Sequence, residues 1–151
     1  MITPWNWPLN QMCTKVASAI AAGTSFVIKP SEITPITAHF LGKVCTEIGL
    51  PSGVLNIVHG YGPEIGQAIV EHPKIKAISF TGGTQTGRIV AKTAAPLFKK
   101  LSLELGGKNA TVILGDAELE LAAKGAAKAG FTNSGHVCLC GSRILIDESI
   151  S

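Results

Sequence analysis

Apolar runs of two lengths alternate along this chain. Short runs rich in β-branched or aromatic residues read as strands: Thr24-Ser25-Phe26-Val27-Ile28, Val54 to Val58, Ala77 to Phe80 and Lys100 to Glu104. Between them lie stretches of helical periodicity. Trp7 to Ala22 is one, entered from Ile2-Thr3, which reads as the stub of an earlier strand. Thr34 to Ile48 is the next, with Thr34 as its N-cap, Pro35 in the first turn and Gly49 just past its end. Gly60-Tyr61-Gly62-Pro63 turns into a helix over Glu64 to Glu71, and Thr81-Gly82-Gly83-Thr84 opens another that runs to about Thr93. Past Gly106-Gly107, Ala110 to Leu114 predicts a strand, Ala117 to Ala129 a helix and Ser142 to Ile146 a last strand. Strands alternating with helices at this spacing predict βαβ units and a parallel sheet, hence an α/β fold.

Composition narrows the class. The 151 residues are 46% hydrophobic and 15% charged, enough apolar material for a core and too little charge for disorder. The formal charge of +3 is scattered, with Lys99-Lys100 its densest spot, so nucleic acid is not the indicated partner. Val16 to Ala22 is far short of the ~20 apolar residues that span a bilayer, so no membrane partner is expected. No basic region followed by an apolar core opens the chain, and the four cysteines read as reduced thiols. A cytoplasmic or organelle-matrix location is expected.

Two glycine-bearing loops carry the candidate chemistry: Leu103-Glu104-Leu105-Gly106-Gly107-Lys108 and Asn133-Ser134-Gly135-His136-Val137-Cys138. A carboxylate able to act as base and a thiol able to act as nucleophile are the two parts of covalent catalysis on a carbonyl. A lone cysteine is most often a core residue and a lone glutamate a solvated one, so it is the combination that carries weight. The leucines flanking Glu104 and the following Gly-Gly argue against plain solvation. His136 lies only two residues from Cys138, a spacing that need not bring the two side chains together. Cys140 makes a Cys-x-Cys with Cys138, yet no second ligand cluster supports a metal site. Cys13 and Cys45 fall on helical apolar faces and read as core.

Upstream, Pro4-Trp5-Asn6-Trp7-Pro8 and Lys29-Pro30-Ser31-Glu32 complete a set that resembles the aldehyde dehydrogenase superfamily along nearly the whole chain. The Cys138-Leu139-Cys140 and Ser102 to Asn109 segments look closest to semialdehyde dehydrogenases of the muconic type. The resemblance implies a Rossmann-like parallel sheet with flanking helices, plus the start of a second α/β catalytic domain. It puts a dinucleotide-binding domain at 1–105 and the beginning of the catalytic domain at 106–151. Both ends look cut, because the chain opens in mid-strand and closes just after one.

The same resemblance implies a role for each motif residue. Cys138 is the nucleophile, Glu104 the general base that resolves the thioester, and Asn6 the donor to the alkoxide. Trp5, Lys29, Glu32, Gly82, Gly83 and Gly87 fall at cofactor-binding positions. Lys29 and Glu32 close a strand, where an open α/β sheet binds its ligand, and a glutamate there repels a 2′-phosphate; NAD is the cofactor expected. Many members carry serine where this chain has Gly83, and no Gly-x-Gly-x-x-Gly occurs. The glutamate points to hydrolysis of the thioester rather than transfer to CoA. The full-length form is expected to be a homo-oligomer acting on a small aldehyde. The alternative is a non-catalytic fragment that binds nucleotide or packs against other subunits.

Overall fold

A computed structural model describes residues 1–151, which divide into two compact units, Met1–Leu105 and Gly106–Ser151. In the first unit, β1 (Phe26–Ile28) pairs in parallel with β2 (Leu55–Ile57), and β3 (Ala77–Gly82) in parallel with β4 (Lys100–Leu105). The stub at Ile2 joins these pairs. Its backbone bridges Lys29 on one side and Phe80 on the other, both in parallel. Four hydrogen bonds of 2.9–3.1 Å seal the seam: Ile2 N–H to Ser79, Thr3 N–H to Lys29, Lys29 N–H to Met1 and Thr81 N–H to Ile2. The spatial order is therefore β2, β1, Ile2, β3, β4. In chain order that is third, second, first, fourth, fifth, the doubly wound arrangement.

Strand alternation sorts the helices to two faces. Phe26 and Ile28 pack with Met12, Val16 and Ala38, so helices α1 (Pro8–Ala21) and α2 (Ile36–Glu47) cover one face. Val27, Ile78 and Phe80 pack with Val70, Val90 and Ala94, so α3 (Gln67–Glu71) and α4 (Thr84–Ala94) cover the other. Met12, Val16 and Ala19 are the inward stripe of α1 at helical spacing.

Several boundaries differ from the sequence expectation for local reasons. Thr34 does not cap α2; its hydroxyl is buried without a partner, and the helix starts at Ile36 after Pro35 in helical conformation. The predicted helix over Glu64 to Glu71 is two pieces, a wide π-type turn over Gly62–Gly66 and then α3. β3 continues two residues past Phe80 because its register with β4 holds through Gly82 and Leu105.

In the second unit, β5 (Ala110–Ile113) pairs in parallel with β6 (Arg143–Ile146), and α5 (Leu119–Phe131) connects them. The helix starts two residues later than its apolar pattern suggests. Glu118 is its N-cap, accepting from the N–H groups of Glu120 and Leu121 at 3.2 and 2.7 Å, while Ala117 closes a turn onto Leu114. No helix in the structure is long and apolar enough to cross a membrane.

Core placement yields the first testable outcome. Ile28 is fully buried between the sheet and α1–α2, whereas Ile33 is 71% exposed. Ile28→Ala should lower the unfolding free energy by ~2–5 kcal/mol, and Ile33→Ala by no more than ~0.5 kcal/mol. Urea denaturation of both variants checks this; equal losses would contradict the assigned core.

Candidate active site

In an open α/β sheet the ligand crevice lies beyond the carboxyl ends of the strands, where the strand order reverses. Here the reversal falls between the Ile2 strand and β3. The Ile2 strand runs out into Thr3-Pro4-Trp5-Asn6, and β3 into Thr81-Gly82-Gly83. Two of the motifs singled out in the sequence thus flank one crevice. Trp5 is 44% exposed there and Asn6 half-buried.

Gly83 opens α4 with no side-chain cap, and a Cβ added to it would meet nothing within 4 Å. The first turn of α4, residues 84–86, is exposed, and no side chain caps its N–H groups. Gly87 behaves differently. It is buried, and a Cβ there would come within 2.5 Å of Leu105 Cδ2, so within this unit it lets α4 lie close against β4.

At the end of β1, Lys29 is buried and its amine makes two hydrogen bonds. It donates to the Pro30 carbonyl at 3.0 Å and to Glu32 Oε2 at 2.9 Å. That contact holds the Glu32 carboxyl below its ordinary range, the hydrogen bond from Lys29 being the main cause. The Glu32 side chain remains 41% exposed, which leaves an anchored carboxylate at the sheet margin.

Alternation on β4 decides where Glu104 points. Leu103 and Leu105 pack with Phe80 and Val90 on the α3–α4 side. Lys100, Ser102 and Glu104 line the opposite face, and all three are exposed. Their register partners on β3 are Ala77, Ser79 and Thr81. The flanking leucines therefore do not shield Glu104, as their proximity in sequence suggested; they face the other way. What Glu104 has instead is Lys15, which reaches across from α1. The Lys15 amine donates to Ser79 Oγ at 2.6 Å, and burial pushes its pKa down while the charge of Glu104 works in the opposite direction.

Sequence reasoning missed Lys15, and a signal was there. Lys15 sits three residues past Met12 and one before Val16, a lysine inside the inward stripe of α1. Inward lysines are rare enough to demand a partner.

In the second unit, Cys138 is the exposed thiol of four free cysteines; Cys13 is half-buried and Cys45 and Cys140 are buried. The loop that carries it leaves α5 through three consecutive left-handed residues, Asn133 (φ 53°), Ser134 (φ 55°) and Gly135 (φ 75°). Each non-glycine residue in that region costs ~1–2 kcal/mol. The reversal lays the loop back over the helix end. Gly141 N–H bonds the Ala129 carbonyl at 3.2 Å, and a Cβ on Gly141 would collide with Thr111 Oγ1. Cys140 N–H closes a turn onto the Val137 carbonyl at 2.9 Å, with Cys138 inside it. Asn109, which the sequence analysis passed over, donates its side-chain amide to the Cys138 carbonyl at 2.7 Å.

Comparison with known proteins gives this arrangement a family. The chain is 49% identical over 149 residues to a 3-succinoylsemialdehyde-pyridine dehydrogenase of a Pseudomonas species, covering 99% of this chain and 31% of that protein. It is 47% identical over 150 residues to the 2-aminomuconic semialdehyde dehydrogenase of Homo sapiens, again covering 99% and 31%. Among solved structures, a betaine aldehyde dehydrogenase from Staphylococcus aureus in complex with NAD+ superposes with a TM-score of 0.97 at 45% identity, over 99% of this chain and 30% of that one. The chain thus spans about a third of the length of these relatives. A profile of the aldehyde dehydrogenase family matches all of residues 1–151, and the chain belongs to that family.

Proposed function

We propose that the protein containing this chain oxidises an aldehyde, in particular a semialdehyde, to its carboxylic acid with NAD and Cys138. The observation that carries this reading is the strained, glycine-seated loop on which Cys138 is the exposed thiol. Residues 1–105 act as the dinucleotide-binding domain in this reading, and 106–151 belong to the catalytic domain.

The crevice suits a dinucleotide. The uncapped start of α4 and the open space at Gly83 fit a pyrophosphate, and the Lys29–Glu32 pair at the end of β1 fits ribose hydroxyls. Trp5 and Gly82 border the same crevice, and Gly87 acts through the packing of α4. When bound, NAD supplies the hydride acceptor. The protein's own groups do the rest. The Cys138 thiolate attacks the aldehyde carbon, and the carbonyl oxygen takes up the negative charge. The Asn6 amide and the Cys138 N–H hold that charge, a type of donor worth ~3–4 kcal/mol in the barrier. The acyl group left on Cys138 is a thioester. Glu104 takes a proton from water as the water oxygen attacks the thioester carbon, and the Cys138 thiolate departs. Lys15, tied to Ser79, keeps a positive charge within reach of the Glu104 carboxylate.

The names of the relatives support a semialdehyde substrate. A homo-oligomer in the cytoplasm remains our assignment for the complete protein. For the oligomer, the support is the exposed apolar stripe Ile36, Phe40 and Val44 along α2, which needs a cover. That stripe also favours a second reading, in which the 151-residue chain by itself packs against other subunits and binds nucleotide without turnover.

Two outcomes test the roles of Cys138 and Glu104. Iodoacetamide at neutral pH should modify Cys138 well before Cys13, and Cys45 and Cys140 last; peptide mapping that finds equal labelling would overturn it. In the complete protein, Glu104→Gln should release one burst of NADH and then stall, since only deacylation lacks its base. Stopped-flow traces check this, and unchanged steady turnover would remove Glu104 from the mechanism.

Glu32 links cofactor choice to acid stability. Its folded-state pKa lies below the ordinary 4.5, so in between the unfolded chain binds more protons. The stabilisation is present above about 4.5 and is lost as pH falls through the folded value. Glu32→Gln should therefore lower the urea midpoint at pH 7, by an amount that shrinks as pH falls below about 4.5. The same variant should narrow the preference for NADH over NADPH in a fluorescence titration; equal affinities in the unaltered protein would overturn the NAD assignment.

A further inference from the structure

We propose that Asn109 is a positioning residue for Cys138, restraining the backbone from which the thiol extends through the carbonyl of the same residue. Its amide Nδ2 donates to the Cys138 carbonyl at 2.7 Å, and its own carbonyl accepts from Arg143 N–H at 3.2 Å. Arg143 Nε returns to the Lys108 carbonyl at 2.9 Å. One short segment therefore grips the loop at both ends, by side chain at 138 and by backbone at 143. The segment leads directly into β5, which is in register with β6 from Ala110 and Arg143 onward, so the grip is anchored in a ladder.

The mechanical consequence follows from peptide geometry. The carbonyl of Cys138 lies in a rigid plane attached to its Cα. A held carbonyl direction restrains ψ of Cys138 and with it the Cα–Cβ bond from which Sγ extends, leaving rotation about χ1 as the remaining freedom of the thiol. The loop needs such a tie, because the left-handed Asn133 and Ser134 favour relaxation of the chain leading into it. The other ties fall on neighbours: Cys140 N–H on Val137 and Gly141 N–H on Ala129. Asn109 acts on the residue that bears the thiol. Its hydrogen bond is solvent-exposed, so it contributes little to global stability and its removal leaves the fold in place.

Two variants separate positioning from packing. Asn109→Asp keeps the size and replaces the donor by an oxygen that repels the Cys138 carbonyl; Asn109→Ala removes the group. In the 151-residue chain, the iodoacetamide rate at Cys138 should change at least ~3-fold in both variants, more in Asp than in Ala, with Cys13 as an unaltered internal control. In the complete protein, kcat should fall ~10–100-fold while KM for NAD stays within about 2-fold.

An Asn109→Asp protein that alkylates like the unaltered chain overturns the inference, since a packing role predicts that the isosteric variant behaves normally. If one variant fails to fold by circular dichroism, the other decides on the same readout. The kinetic half rests on Cys138 as nucleophile, and the alkylation half does not. A Cys138→Ala protein that still turns over defeats that reading, whereas normal alkylation in Asn109→Asp defeats only the role of Asn109.

Discussion

Everything in the first unit depends on the backbone of one residue. Without Ile2, β1–β2 and β3–β4 are two separate ribbons, each too small to be stable alone. Its peptide groups donate to Ser79 and accept from Thr81, while those of Met1 and Thr3 engage Lys29. That seam creates the reversal of strand order, and the reversal creates the crevice between Pro4-Trp5-Asn6 and Thr81-Gly82-Gly83. The positions of Asn6 and of the Thr81-Gly82-Gly83 turn are thus consequences of one strand crossing the middle of the sheet.

The two faces of that sheet are not chemically equivalent. On the α3–α4 side, Ile78, Phe80, Leu103 and Leu105 build a dry core. On the α1 side, β3 and β4 present Ser79, Thr81, Ser102 and Glu104. The Thr81 hydroxyl is buried without a partner, and an apolar helix matches a row of this kind poorly. Helix α1 meets it with Lys15, whose stem crosses the helix–sheet interface and whose amine ends on Ser79. The thiol loop of the second unit answers to a different constraint, the close approach of Gly141 to Thr111 and the left-handed exit from α5.

Element order and type were legible because apolar alternation and helical periodicity are local. The pairing of Ile2 with two strands was not, since two residues of stub carry no period and partner choice is a tertiary event. Helix starts were misjudged where a side chain chose otherwise, as with Glu118 capping α5 and Thr34 failing to cap α2. For Glu104, flanking leucines were read as a shield, but period-two alternation sends neighbours to opposite faces. The same rule, applied to Lys100-Leu101-Ser102-Leu103-Glu104-Leu105, would have placed Glu104 in a polar row from the sequence alone. Asn109 left no such trace, because its contact is with a backbone atom far along the chain.

The inward lysines show how stability and chemistry are kept apart. Lys99 buries its stem and donates at 2.7 Å to the carbonyl of His72, the residue that ends α3. That is a structural task at the start of β4, a cation satisfying an orphan helix-end carbonyl. Lys15 bears its charge at Ser79, midway along β3, and Lys29 bears its charge at the end of β1. Each there faces a carboxylate that remains exposed, Glu104 and Glu32 respectively. Burying an ammonium is costly unless it is well paired, and burying its carboxylate partner too adds a second desolvation cost. Leaving the acidic partner open avoids that cost and keeps its charge in water. The asymmetry separates two uses of an inward lysine: Lys99 closes a helix end, while Lys29 and Lys15 hold their charges beside carboxylates that stay open to solvent.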